Sequence, residues 1–422
     1  MIRAVFARRA LGNDAQIHME TINILGVNIT NLPQDEVLEK VREFLADWKP
    51  HFIVTPNPEI ILEATRKDEE LWYILNHADM ALADGVAVKI VAWFYKKNTE
   101  RITGADLTLE ILKLAQSEKK NVAIFNWRDG LSTAAEIRRI LEDKFPGLNF
   151  LVEDISRSGP YDFAAVNKFA PDIIFCGLGF PHQEKFIYYN LANIPKARLG
   201  LAIGGSFDFL TGKTKRAPKW MRSVGLEWLW RLIKQPKRWK RIYRAIIVFP
   251  YRFFIFFFIL RWFYRRNVAG LLYKKEISTD GRTEYKILIV ERVGEPGHWQ
   301  LPQGGTDREN LFVAGARELR EELNTANFKP VAAFKNLFKY KFSRYFDKYG
   351  ARVKNQRGYK GQSQGLFIAE FTGTDSEIKI NLWEHRAWRW VPSENLIETV
   401  FPARREATKI FMEKFLETVN KQ

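Results

Sequence analysis

The sequence predicts a parallel α/β domain, then a basic aromatic segment, then a smaller α+β domain. Three observations carry this reading. Up to about residue 210, near-continuous apolar runs each lead through Gly, Pro or Asp into a helix-forming stretch, as in "HFIVTPNPEIILEATRK", "ADMALADGVAVKIVAWFY" and "PDIIFCGLGFPHQEKFIYYN". From about residue 270, separate strand-like runs predominate, with only two helical stretches around 311–324 and 403–419. Between them, Lys213 to Arg266 holds sixteen Lys or Arg against one acid, Glu227, in a chain of formal net charge +17.

"TINILGVNI" (21–29) reads as an opening strand, and "NVAIFNWRDG" adds another strand and turn to the parallel set. Apolar strands of this kind are covered by helices on both faces, and such folds bind ligands at the carboxyl ends of the strands. In the last third, "TEYKILIVERV", "GQSQGLFIAEF" and "HRAWRWVPS" are the strand-like runs. The expected boundaries are an N-terminal extension over 1–20, a first domain over 21–244, an apolar and basic segment over 245–271, and a last domain over 272–422. The first twenty residues hold no continuous apolar core, so no signal peptide is expected there. A single cysteine, Cys176, excludes an intrachain disulfide and suits a reducing cytoplasm.

The segment "AIIVFPYRFFIFFFILRWFYRR" has two apolar runs split by Arg252. It is short for a bilayer span, which takes about 20 apolar residues. Arginines and aromatic rings among oily side chains suit the headgroup region of an anionic bilayer. Peripheral or monotopic contact is therefore expected, with a buried core helix and a short or re-entrant span as alternatives. A patch this basic can bind nucleic acid, but a Phe/Ile core without polar interleaving argues against that.

At the predicted strand ends of the first domain stand Thr55, Asn57, Asp84, Arg101, Asp106 and Gln183. Asp84, in "LADGVA", can accept a proton from a sugar hydroxyl as a general base. The loop "GLGFPHQE" can turn backbone N–H groups toward a phosphate. Thr55 and Asp84 can equally be plain helix caps.

In the last domain, "GARELREELN" places Glu318, Glu321 and Glu322 on one helical face, where like charges repel. Gly304 and Gly305 just before the helix permit close approach to a ligand. A divalent ion with clustered oxygen ligands would relieve the repulsion and activate water against a phosphoryl group.

Two resemblances follow from these blocks. "FIVTPNPEIILEA", "ADMALADGVAV", "RITGADLTLEIL", "PDIIFCGLGFPHQEKFI" and "LAIGGSFDFLTGKTKRAPKWM" resemble the WecG/TagA/CpsF glycosyltransferases over roughly residues 21–245. The resemblance implies a Rossmann-like fold without a metal. It also implies transfer of an N-acetylmannosamine-type sugar from a UDP donor to a polyprenyl-diphosphate-linked N-acetylglucosamine at the cytoplasmic face of the membrane. Carried over by position, Asp84 is the base. Thr55 and Asn57 line its pocket, and Arg101 and Gln183 contact phosphate or sugar groups. Arg231, Arg238 and Arg241 of the basic appendage approach the lipid diphosphate. The chain departs from many relatives at Asn126 and Trp127, where those have a glycine pair.

"GGTDRENLFVAGARELREELN" resembles the Nudix hydrolase signature, which implies Mg²⁺ or Mn²⁺ on Glu318, Glu321 and Glu322, oriented by Arg317, with Glu309 as the earlier signature glutamate. The loop from Gly304 to Glu309 is one residue short of the usual pattern, and Asn324 replaces a glycine after the helix. "HWQLPQGG", "YKGQSQGLFIAEF" and "EHRAWRWV" are similar to bacterial RNA pyrophosphohydrolases and dinucleoside polyphosphate hydrolases, which adds Glu384 to the metal set. Expected partners are a UDP-sugar, the lipid-linked acceptor, an anionic membrane, and a nucleoside diphosphate derivative or an RNA 5′ end. The alternatives are a hydrolase working independently on RNA or dinucleoside polyphosphates, and a non-catalytic membrane scaffold.

Overall fold

The structure, a computed structural model, describes residues 19–421 apart from 67, 97–100, 224, 278–281, 294, 343–357 and 382. The N-terminal extension lies almost wholly outside the described residues. The chain forms two compact units, one ending at Phe254 and the other beginning at Ile255.

The first unit opens with a hairpin, not the single strand read from "TINILGVNI". β1 (Thr21–Ile24) and β2 (Val27–Thr30) pair antiparallel. Leu25 (φ 54°) and Gly26 (φ 98°) make the two-residue turn, a backbone that a pattern of apolar residues does not reveal. The main sheet has six parallel strands: β3 (His51–Val54), β4 (Met80–Ala81), β5 (Val122–Trp127), β6 (Phe150–Ile155), β7 (Ile173–Cys176) and β8 (Leu199–Ala202). Their spatial order is β4-β3-β8-β7-β5-β6. Every residue of β7 and β8 is buried, as expected for strands covered on both faces. Helix Gln34–Ala46 buries Val37, Val41, Phe44 and Leu45, an i, i+4, i+7, i+8 stripe. That stripe joins Ile111 and Leu112 of helix Gly104–Ser117 in one core, where each such side chain contributes about 1.5–3 kcal/mol. After β4 the chain crosses the sheet to β5, and the loops that follow β3, β4, β7 and β8 gather at one end.

The second unit is a mixed sheet of seven strands. They are β9 (Tyr264–Ile277), β10 (Thr283–Arg292), β11 (Trp299–Gln300), β12 (Gln303–Gly305), β13 (Phe328–Lys341), β14 (Gly361–Phe371) and β15 (His385–Pro392). The order β11-β10-β9-β14-β13 carries β12 on β9 and β15 on β10, and only β9 and β14 pair parallel. Val268 and Leu272 face the core under helix Leu311–Leu323, while Leu271 and Tyr273 face the core under helix Arg405–Val419. Residues 264–271, assigned from sequence to the apolar segment, therefore belong to β9. Its run "VAGLLY" is buried on both faces, so it shows no alternation to separate it from the oily stretch before it.

Residues Pro236–Trp262 form one helix of 27 residues, long and apolar enough to cross a membrane. It extends well beyond the apolar run read from sequence and spans about 40 Å. Pro250 lies within it, two residues after the end of a wide turn over Arg244–Val248. Proline lacks an N–H and clashes with the carbonyl four residues back, so a locally widened turn accommodates it. Phe249 and Phe253 are buried, whereas Trp239, Tyr243, Ile247, Tyr251 and Phe254 are exposed. The exposed set recurs at intervals of four, four, four and three residues, a single stripe along one helical face. The same spacing continues in sequence to Phe258 and Trp262, which are also exposed.

Candidate active sites

In the first unit, Asp84 follows β4 on the loop into helix Val86–Phe94. Its backbone N–H donates to Pro56 O (3.2 Å), which fastens this loop to the one after β3. Desolvation pushes the Asp84 pKa up to about 6, against the opposing pull of Arg231 and Arg101. The carboxyl is thus charged at neutral pH yet more basic than an ordinary aspartate.

The cations around it are organised by a buried glutamate. Glu227 accepts from Arg101 Nη2 (2.5 Å) and from Arg231 Nη2 (2.7 Å). Burial raises its pKa, but Arg231 and Arg101 outweigh that and hold it below the usual range. Asp106 takes a bidentate pair from Arg216 (2.7 and 2.6 Å), with Arg222 3.9 Å away. Burial raises Asp106 as well, yet the bonds from Arg216 and Thr103 bring it below its ordinary value. Arg241 donates to Glu59 (2.6 Å), while Arg238 is pushed down by desolvation and by the fields of Arg241 and Arg231. Of the appendage arginines, Arg231 thus acts on Asp84, while Arg238 and Arg241 gather with Glu59.

Three expected residues have other local duties. Asn57 Oδ1 accepts from the N–H groups of Glu59 (3.0 Å) and Ile60 (3.1 Å), capping helix Pro58–Arg66. Gln183 is buried; its Oε1 accepts from Gly204 N (2.8 Å) and its Nε2 donates to Glu184 (2.9 Å). It holds the turn after β8. Thr55 lies against Gly104, the first residue of helix Gly104–Ser117. Glu227, Arg216 and Arg222 were absent from the sequence-based candidates. A signal for Glu227 was present: it is the lone acid in the basic window.

In the second unit, Arg317 is the hub. Its guanidinium donates to Glu309 (2.9 Å), Glu318 (2.8 Å), Glu321 (2.9 Å) and Gly305 O (2.8 Å). Burial alone would lower its pKa; the bond to Glu309 and the charges of Glu318 and Glu321 raise it instead. The repulsion expected among the helix glutamates is partly compensated here. A Cβ on Gly304 would lie 1.7 Å from Glu318 Oε2, so any larger residue would push this carboxylate from its place. The shortened loop closes with Asp307 and Arg308 both at positive φ, and Asn324 ends the helix in the left-handed conformation.

Glu322 is buried and turns away from Glu321. Its Oε1 accepts from Gln303 N (3.0 Å), and its Oε2 meets His385 Nε2 at 3.0 Å. Ligand atoms of Glu322, Glu384 and His385 all lie within 4.8 Å of one another, a cluster able to coordinate a divalent cation. Burial drives the His385 pKa down to about 4, so its ring is neutral at pH 7, the form that can ligate. His385 was missed from sequence, although it adjoins Glu384. The donors fit a hard cation, since carboxylate oxygens predominate.

The first unit is thus a parallel α/β domain with a carboxylate and arginines at its strand ends, and the second an α+β domain with a cluster able to hold a divalent cation. Residues 22–263 match the glycosyl transferase WecG/TagA/CpsF family, and residues 264–415 match the NUDIX domain. The chain belongs to the WecG/TagA/CpsF glycosyltransferase family and carries a C-terminal Nudix domain. An N-acetylglucosaminyldiphosphoundecaprenol N-acetyl-beta-D-mannosaminyltransferase of Bacillus subtilis (strain 168) is 31% identical over 230 residues, covering 53% of this chain and 88% of the relative. Its counterpart in Bacillus spizizenii is 36% identical over 204 residues, covering 47% and 77%. Among solved structures, a C. elegans Ap4A hydrolase binary complex aligns with 36% of this chain and 98% of its own, at 19% identity and a TM-score of 0.27.

Proposed function

We propose that the first unit transfers an N-acetylmannosamine-type sugar from a UDP donor to a polyprenyl-diphosphate-linked N-acetylglucosamine. The observation that carries this is Asp84, a desolvated carboxyl of pKa about 6 set beside Arg101 and Arg231. Asp84 takes the proton of the acceptor hydroxyl as that oxygen attacks the sugar carbon, and the UDP leaves. Arg231, Arg238 and Arg241 bind the acceptor diphosphate, for which forked guanidinium donors are suited. Arg101, held by Glu227, keeps positive charge near the departing phosphate.

The helix Pro236–Trp262 lies in the membrane interface, on the cytoplasmic side. A spanning helix is apolar all round, whereas this one buries Phe249 and Phe253 and leaves one aromatic stripe exposed. Ile90, Trp93 and Phe94 of helix Val86–Phe94, which packs against Phe253, add exposed apolar surface. Pulling a polyprenyl tail into water costs about 0.8 kcal/mol per CH₂, so the enzyme goes to the lipid.

The second unit hydrolyses a nucleoside diphosphate-linked substrate. Glu318, Glu321, Glu322 and Glu384, with His385 beside them, would hold Mg²⁺ or Mn²⁺. The ion, when bound, polarises the phosphoryl oxygen and lowers the pKa of the attacking water. Arg317 sets the orientation of Glu318 and Glu321, and Gly304 brings backbone close to the site. Tethering raises the local concentration of this domain where UDP-linked compounds are used.

The test is a product assay. The full chain is given UDP-N-acetylmannosamine, the lipid-linked acceptor and Mg²⁺, and every phosphate-containing product is identified. Asp84→Asn should abolish the disaccharide lipid alone, and Glu322→Gln should abolish diphosphate cleavage alone. Unchanged products in both variants would leave only a scaffold role. Release of pyrophosphate from 5′-triphosphate RNA, with UDP-sugars left intact, would redirect the second unit to RNA.

A further inference from the structure

At the carboxyl ends of β5 and β6, Arg157 lies flat over the ring of Trp127, with its guanidinium carbon 3.5 Å from the ring centroid. Both residues are half-buried. Arg157 Nε donates to Leu178 O (2.7 Å) on the loop after β7, which fixes the guanidinium plane. Gly179, at φ 73°, leaves room for it; a Cβ there would stand 3.0 Å from Arg157 Nη2. Among the described residues, Nη1 and Nη2 of Arg157 make no hydrogen bond. Tyr161 donates its hydroxyl to Arg157 O (3.0 Å), bracing the same loop. A rigid, planar, cationic stack at the mouth of a parallel sheet is suited to an aromatic base and the phosphate attached to it.

We propose that the Trp127–Arg157 stack is the nucleoside subsite for the sugar donor: the base stacks on it and the Arg157 Nη groups meet the adjoining phosphate. This rests on the transferase reading above and extends it. The spatial order β4-β3-β8-β7-β5-β6 puts four strand steps between the Asp84 loop and Trp127, about 19 Å at the usual strand spacing. A donor laid across the strand ends thus has its base at β5, its diphosphate over the glycine turns after β7 and β8, and its sugar near Asp84.

The experiment is calorimetric titration of the full chain, carrying Glu322→Gln to silence hydrolysis, with UDP, UMP and inorganic pyrophosphate. Trp127→Ala should weaken UDP and UMP by about tenfold, the scale of one base–aromatic stack, and leave pyrophosphate unchanged. Trp127→Phe should restore most of the loss. Arg157→Ala should weaken all three. UDP affinity equal in the parent and Trp127→Ala overturns the subsite while leaving the transferase reading intact. So does an equal loss of UDP and pyrophosphate in Trp127→Ala, which would mark a disturbed fold. A parent that binds pyrophosphate but gives UDP no added affinity overturns the donor reading itself.

Discussion

Asp84 offers a quantitative test of how this site works. If its carboxylate is the base, kcat/KM for sugar transfer follows the fraction ionised. With a pKa of about 6, that fraction is about 9% at pH 5, half at pH 6 and about 91% at pH 7. An ordinary aspartate would already be almost fully ionised at pH 5. The signs of the neighbouring charges add two further arms. Arg231 lowers the Asp84 pKa and Glu227 raises it, so Arg231→Gln should move the midpoint up and Glu227→Gln should move it down. The assay is radiolabelled transfer to the lipid acceptor at constant ionic strength from pH 4.5 to 8, in a Glu322→Gln background. A rate flat from pH 5 to 8, or midpoints that move together in both variants, would refute the assignment of Asp84 as the titrating base.

Other expectations are simpler. Gly304→Ala should displace Glu318 and cut hydrolysis by more than tenfold while the melting temperature changes little, as read by Mn²⁺ binding and turnover together. Arg317→Ala removes the cation shared by Glu309, Glu318 and Glu321; hydrolysis should fall, and without added metal the melting temperature should drop more than with it. Asp106→Asn should cost about 1 kcal/mol at pH 7, a modest figure because the Asp106 side chain is 40% exposed. Its pKa is depressed in the folded state, so this contribution is present at neutral pH and lost as pH falls through the lowered value; urea titrations of parent and variant should converge in acid. Replacing Trp239, Tyr243 and Tyr251 by serine, singly or together, should release the protein from acidic liposomes in a flotation assay. Equal flotation of parent and variants would remove the interfacial role of the helix.

The sequence disclosed most where one physical pattern dominated. The β7 and β8 runs, and β3 after His51, are apolar throughout because both faces are covered, and helix Leu311–Leu323 follows its glutamates and glycine loop. β9 was hidden because a strand buried on both faces reads like the oily helix preceding it. The β1–β2 hairpin was hidden because its turn depends on positive φ at Leu25, which no composition signals. In the sites, carboxylates at fixed helical spacing were legible, since three of them lie within five residues. His385 was not, and Glu227 was marked only as the lone acid of the basic window. Each acts through a partner remote in sequence: Glu227 through Arg101, and His385 through Glu322. Asn57 and Gln183, expected at the ligand pocket, also serve locally: Asn57 Oδ1 caps a helix and the Gln183 amide holds the glycine turn after β8.

The guanidinium of Arg317 has a consequence for how the hydrolase responds to chelation. It already bonds Glu309, Glu318 and Glu321 and offsets part of their charge, so the domain should stay folded without an ion. Stripping divalent ions should therefore leave an intact but silent enzyme that regains its turnover on remetallation, unlike small zinc domains whose architecture collapses with their metal.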